Sequence, residues 1–285
     1  MWEIFSYSFM QRGLIVGNVI GLIAPLIGVF LNLKRLSLIG HTISHVALAG
    51  VALGIFLGVY PVPLALMVAS AAALGIEKLR QVGYQGFAEL ALAIILASGM
   101  GLATILISLS DSNVAVYSYL FGSISLVTPG DLQIILPLGA IIGMGVLIFY
   151  YGFFFLAFNE KEARLAGVPV DIFNIIFMLM VAAVIAFSMR IIGGLLISSL
   201  IILPVAAALQ VARSFRGTVV FSMLFGVLAV NSGLIISFYR DLAPGGTIIL
   251  SSVLILLLTF LLKGGRSIWK GWNSYPDKEG GVGNG

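Results

Sequence analysis

The residues most able to do chemistry lie in one short stretch, Gly40-His41-Thr42-Ile43-Ser44-His45. It holds both histidines of the 285-residue chain. Four residues apart on a helix, His41 and His45 share one face, one above the other. Measured from Arg35 at about 1.5 Å per residue, His41 lies roughly 9 Å and His45 roughly 15 Å along the helix. The second depth is close to the midplane of a hydrocarbon core about 30 Å thick. Ionisable groups at such depth are costly and point to function by default, and imidazole binds zinc, copper, nickel and iron well. The competing view is that each histidine only hydrogen-bonds a neighbouring helix and holds the bundle together. Both histidines of a whole chain, paired at ligand spacing, argue for metal. A metalloprotease is disfavoured, because its motif needs Glu directly after the first His as general base and Thr42 stands there.

The second candidate is Phe158-Asn159-Glu160-Lys161-Glu162-Ala163-Arg164-Leu165-Ala166-Gly167-Val168-Pro169. Asn159 can cap a short helix, Glu160 and Glu162 suit its N-terminal dipole end, and Gly167 and Pro169 end it. Such a helix on a membrane surface could dock in a partner's groove; the plainer alternative is a solvated loop.

These residues must be positioned by membrane-spanning elements. The chain is 60% hydrophobic and 9% charged, with mean hydropathy +1.16, whereas a soluble domain carries about 25% charged residues. At roughly 20 apolar residues per span, there is room for eight or nine. Apolar runs place them near Leu14–Leu33, Leu38–Tyr60, Val62–Ile76, Phe87–Leu109, Leu132–Phe158, Ile172–Met189, Ile191–Ala212, Val219–Phe238 and Thr247–Leu262. The third is short and the seventh contains Pro204, so either could be a broken or partial helix. A polar stretch from Asp111 to Gly130, with Tyr117, Tyr119 and Phe121, is expected to lie at one interface as a short helix or loop. The fold class is therefore all-α, a polytopic transmembrane helical bundle over residues 1–263. A Gly-rich tail, 264–285, is expected to be disordered.

The basic residues give an orientation. In the nine-span arrangement twelve of the 15 Lys and Arg fall on one side, and only Arg12, Arg190 and Arg240 on the other. The basic side is expected to be cytoplasmic, which puts the N-terminus outside and the C-terminus inside. The first residues lack the basic region and cleavage site of a signal peptide. There is no cysteine, which rules out disulfides and thiolate metal cages. No G-x-x-x-x-G-K-[ST] phosphate loop occurs, so ATP-powered transport would need its ATPase on another chain.

Four stretches together resemble the permease subunits of binding-protein-dependent ABC transporters for zinc, manganese and iron, over about Phe9 to Lys263. They are Leu38 to Ala52, similar to the family's G-D-x-x-S-H-x-x-L-x-G-V-A; Tyr119 to Ser123; Phe158 to Gly167, similar to F-D-x-x-x-A-x-x-x-G; and Gly193 to Leu196 with Pro204 to Ala207, followed by Tyr239 and Pro244 to Ile248. This chain departs from the pattern with His41 and Asn159, each where the family usually has Asp. The resemblance implies a permease that is not itself an enzyme, working as a homodimer in the cytoplasmic membrane. Its partners would be cytoplasmic ABC ATPase subunits, an extracytoplasmic metal-binding protein and the lipid bilayer, with no nucleic acid. It implies His41 and His45 as metal residues, Glu160, Glu162, Ala163 and Gly167 as ATPase-coupling residues, and no stably bound cofactor besides the transported divalent ion. Manganese prefers oxygen ligands, so a His/His pair favours zinc, with manganese or iron as alternatives. A gradient-driven secondary carrier would need buried charges within its spans, and Asp111, Asp131, Asp171 and Asp241 all sit at span ends.

Overall fold

A computed structural model describes residues 6–81, 85–110, 113–125 and 127–263. The tail, Ser112 and Asp111 lie outside the described residues. Among the described residues twelve helices follow one another: α1 (Ser8–Leu33), α2 (Ser37–Phe56), α3 (Pro61–Gln81), α4 (Gln85–Ser108), α5 (Asn113–Phe121), α6 (Pro129–Ile148), α7 (Tyr150–Phe158), α8 (Glu160–Leu165), α9 (Val170–Ser188), α10 (Ile197–Val211), α11 (Phe215–Arg240) and α12 (Pro244–Lys263). No strand occurs among the described residues.

Lipid offers no hydrogen bonds to a bare backbone, so an apolar chain crossing it closes every backbone bond within helices. Eight of the helices are long and apolar enough to span a membrane. α1 and α2 are buried along most of their length, whereas α4 and α6 are largely exposed on the outside of the bundle. Large apolar side chains such as Leu147, Leu250 and Leu261 point outward, as lipid permits.

Two spans differ from expectation, and another is the partial helix that was expected. The third is not short: α3 runs on through Lys78 and Arg80 because Arg80 pairs with Glu77 one turn earlier, so charge continues the helix beyond the apolar run. The run Leu132–Phe158 is two helices, α6 and α7, divided at Phe149. The region Ile191–Ala212 is a partial helix: α10 begins only at Ile197, and Met189 to Leu196 form turns.

Those turns are buried, with Met189, Ile191 and Ile192 at or below 1% exposure. Irregular backbone is tolerated at depth only where its polar groups are satisfied. Here Gly194 N–H donates to the Tyr119 carbonyl at 2.7 Å, and Ser123 N–H donates to the Arg190 carbonyl at 3.0 Å. The exchange needs two glycines in left-handed backbone, Gly122 (φ 80) and Gly193 (φ 93). A β-carbon on either would meet a carbonyl of the other segment, Ile191 at 2.0 Å or Leu120 at 2.3 Å.

The charges collect at two ends of the bundle. Lys34, Arg80, Glu160 and Arg164 meet at one, called here the basic end. Tyr60, Asp131 and Arg190 meet at the other. α10 joins the two ends, from the Tyr119 contact to a cavity shared with Asn32, Leu33 and Phe158. At 15 residues it spans only about 22 Å, and the turns before it make up the rest.

Candidate functional site

α2 carries the histidine pair. It follows a tight turn in which Lys34 caps α1 and Arg35 adopts left-handed backbone (φ 56). The rings of His41 and His45 lie edge to face, with centroids 4.5 Å apart and planes at 77°. His45 is 8% exposed, and its Nδ1 is buried with no hydrogen-bond partner. His41 is half-buried, and Leu38, one turn earlier on the same face, is exposed. This face of α2 is therefore open at Leu38, half-open at His41 and closed at His45. A histidine kept only to join helices would donate or accept across them; Nδ1 of His45 does neither. Among the described residues no group of three His, Cys, Asp or Glu is placed to hold an ion. The chain itself brings two nitrogens together, short of the four ligands that zinc usually takes.

The segment at 158–169 is built as its sequence indicates. Asn159 Oδ1 accepts from the N–H groups of Lys161 (3.1 Å) and Glu162 (3.3 Å), capping α8. Gly167 sits at φ 82 with open space around it, and Val168 N–H returns to the Ala163 carbonyl. The four residues implied by the family pattern face two ways. Glu162 and Gly167 are exposed. Ala163 is fully buried against Leu156 and Val170, and Glu160 turns into the bundle. Leu165 and Phe158 are exposed apolar side chains on the outer surface of this segment. An exposed Arg164–Asp171 pair (2.7 and 3.1 Å) ties α8 to α9.

Glu160 Oε1 accepts from Lys34 Nζ at 3.0 Å, Arg80 Nη2 at 3.0 Å and Asn174 Nδ2 at 3.4 Å. Lys34 also hydrogen-bonds Asn174, and Arg80 holds the buried Glu77 through two bonds of 3.0 Å. Burial works against the Glu160 charge, yet Lys34 and Arg80 outweigh it and hold the carboxyl below the usual range. Burial also pulls the Lys34 ammonium below the usual lysine value, with Glu160 partly opposing. Because the Glu160 pKa is depressed, its stabilisation is complete above the unfolded value, about 4.3. It is lost as pH falls through the lower folded value. Sequence reasoning missed Lys34, Glu77, Arg80 and Asn174 as partners. Glu77 is a buried carboxylate inside an apolar helix, but its bond to Arg80 at the helix end makes it a neutralised pair.

At the opposite end, Asp131 Oδ1 accepts from Tyr60 OH (2.6 Å) and Arg190 Nη1 (2.7 Å), and Arg190 also donates to Tyr60 OH (2.8 Å). Asp131 Oδ2 accepts from Thr128 N–H (2.6 Å) and Thr128 Oγ1 (2.8 Å), capping α6. Burial, then the bond to Asp131, pushes the Tyr60 phenol up to about 12. This clasp joins the α2–α3 turn, the start of α6 and the end of α9.

Residues 6–263 match the profile of the ABC 3 transport family. The chain is 36% identical to a probable metal transport system membrane protein of Treponema pallidum, covering 90% of this chain and 96% of that one. It is 31% identical to the high-affinity zinc uptake system membrane protein ZnuB of Haemophilus influenzae (89% and 97% covered). It is 30% identical to the manganese import system permease protein ScaB of Streptococcus gordonii (90% and 92%). Among solved structures, PsaBC from Streptococcus pneumoniae in complex with Fab superimposes with a TM-score of 0.83 at 29% identity, covering 95% of this chain and 97% of that one.

Proposed function

We infer the function from one premise: this chain belongs to the ABC 3 transport family and is the membrane permease of a metal ABC transporter. On that premise it imports a divalent ion, and the ion is zinc. The observation that carries this reading is the pair of imidazoles on α2, with a buried, unpartnered nitrogen on His45. Two copies of α2 facing each other across a two-fold axis would supply four nitrogens, a set that suits tetrahedral zinc at about 2.0–2.1 Å. A transport site must also release its ion, so fewer than four bind at once. An extracytoplasmic binding protein delivers the metal. A separate ATPase docks on the exposed side of α8, around Glu162, Leu165 and Gly167.

Manganese is the second reading, favoured by the name of the Streptococcus gordonii relative. The two are separated at position 41. His41→Asp exchanges a nitrogen ligand for an oxygen and is expected to raise manganese uptake relative to zinc. The measurement is the ratio of manganese to zinc uptake by the reconstituted complex in matched vesicles, with ATP hydrolysis as an assembly control. An unchanged ratio removes His41 as the selector and with it the main support for zinc.

The basic end is cytoplasmic on this reading, which a cysteine-free chain makes simple to test. Ser125→Cys, at the end opposite the basic one, should react with a membrane-impermeant thiol reagent in intact cells. Ser214→Cys, exposed at the basic end, should not. Labelling of Ser214→Cys from outside reverses the orientation.

A further inference from the structure

We propose that Glu160 is the positioning residue through which movement of the α8 segment reaches the histidine helix; this rests on the transport reading above. A docking surface alone would turn its charges toward the partner. Glu160 keeps about a third of its side chain exposed, in a cavity it shares with Lys161 and Arg164, yet a single oxygen, Oε1, gathers side chains from three other elements: Lys34, Arg80 and Asn174. Each of these leads toward α2. Lys34 is the residue at which α1 ends, and its side chain is 6% exposed. After the left-handed turn at Arg35, α2 begins at Ser37, and His41 follows one helical turn later. The carboxylate therefore grips the α1–α2 hairpin at the turn from which α2 rises only about 6 Å, at 1.5 Å per residue from Ser37, to the first metal ligand. Arg80 ends α3, which packs on α2 along its length, backbone against backbone where Gly50 meets Ala65. Asn174 lies in the first turns of α9, which also packs on α2.

Ala163 provides the contrasting attachment. Its side chain packs on Leu156 and Val170, so it ties α8 to α7 and α9 by apolar contact and does not reach α1 or α3. If apolar packing alone carried the movement, the Glu160 charge would be dispensable. If the ion-paired grip carries it, removing that charge frees α8 to move without α1 and α3. Charge-assisted bonds to a half-buried carboxylate are directional and roughly twice as strong as neutral ones, which suits a rigid link better than a contact that can slide.

The experiment uses the assembled permease–ATPase complex in vesicles. It measures zinc and manganese isotope taken up per ATP hydrolysed for the wild type, Glu160→Gln, Glu160→Asp and His45→Ala. Glutamine keeps the shape and one acceptor but not the charge. Uptake per ATP in Glu160→Gln is expected to fall roughly 5- to 150-fold, the range of coupling between two sites, with partial recovery in Glu160→Asp. A purely structural role would instead lower the amount of intact complex, with uptake and hydrolysis falling together and their ratio unchanged. Should Glu160→Gln not assemble, Lys34→Met, which leaves Arg80 and Asn174 on the carboxylate, takes the same test with the same expected fall. A wild-type ratio in whichever variant assembles overturns the role of Glu160. Wild-type uptake in His45→Ala overturns the histidine site toward which the movement is directed, and loss of uptake in every complex, wild type included, overturns the transport reading, so the failures are distinguishable.

Discussion

His45→Ala is expected to abolish uptake of every divalent metal, down to the level of vesicles without the complex. The reason lies in the count of nitrogens. Among the described residues the protomer offers two imidazoles and no third His, Cys, Asp or Glu beside them. Removing His45 halves the set and leaves His41, the shallower and more exposed member. The loss is not a folding effect in disguise. Nδ1 of His45 bonds to no neighbouring helix, so alanine strands no partner there, and the remaining cost is that of a cavity, about 2–5 kcal/mol by analogy with other core truncations. ATP hydrolysis by the purified complex checks assembly. Proton competition provides an independent arm. Neutral imidazole binds metal and imidazolium does not, and an ordinary histidine titrates near about 6.5. Uptake by the wild type is therefore expected to decline as pH drops through the acid range. Retained uptake in an assembled His45→Ala complex would mean that the ion passes elsewhere.

Much of this molecule was legible because lipid imposes a narrow choice. Long apolar runs must be helices, and the basic residues mark one end, so the bundle and its two charged ends could be read from composition and spacing. The α8 motif was legible because capping is local: Asn159, the early acids and Gly167 act within ten residues of each other. What could not be read was pairing across the chain. Nothing local to Glu160 says that it meets Lys34, 126 residues earlier, and Arg80, 80 residues earlier. Its place beside Glu162 suggested only a favourable charge at the helix start, and it is the packing of α8 on α7 and α9 that brings it within reach of Lys34 and Arg80. The buried turns before α10 were hidden for the opposite reason. Their composition is as apolar as a helix, and the two glycines that permit the exchange with residues 119–123 look like ordinary small residues of a span. The histidine pair lies between these cases. Its spacing was plain in the sequence, while the burial of His45 beneath a half-open His41 required the structure.

Asp131→Ala is expected to be the most destabilising single change at the end opposite the basic one. Asp131 is 4% exposed and receives four hydrogen bonds, from Tyr60, Arg190 and, twice, Thr128. Alanine removes all of them together, leaving the Arg190 guanidinium, itself only 14% exposed, without its carboxylate. Breaking a buried pair by deleting one member costs about 3–5 kcal/mol, and losing the α6 cap adds about 1 kcal/mol. Asp131→Asn is the milder variant, because its one amide oxygen can still accept on one of the two sides, from Thr128 or from Arg190. Measured by thermal unfolding of the purified chain in detergent, Asp131→Ala should melt well below the wild type, with Asp131→Asn between. Alkaline pH provides a check on the same clasp. Tyr60 has its pKa raised to about 12, so the stabilisation from its neutral hydroxyl is complete below the unfolded value, about 10. It is lost as pH rises through about 12. Tyr60 is partly exposed, so this alkaline loss is small beside that of Asp131→Ala. Tyr60→Phe, which has no phenol to ionise, should lack that component of the alkaline loss. If Asp131→Ala melts with the wild type, the clasp does not hold α6 and α9 to the α2–α3 turn, and the four bonds at Asp131 are exchanged for water without cost.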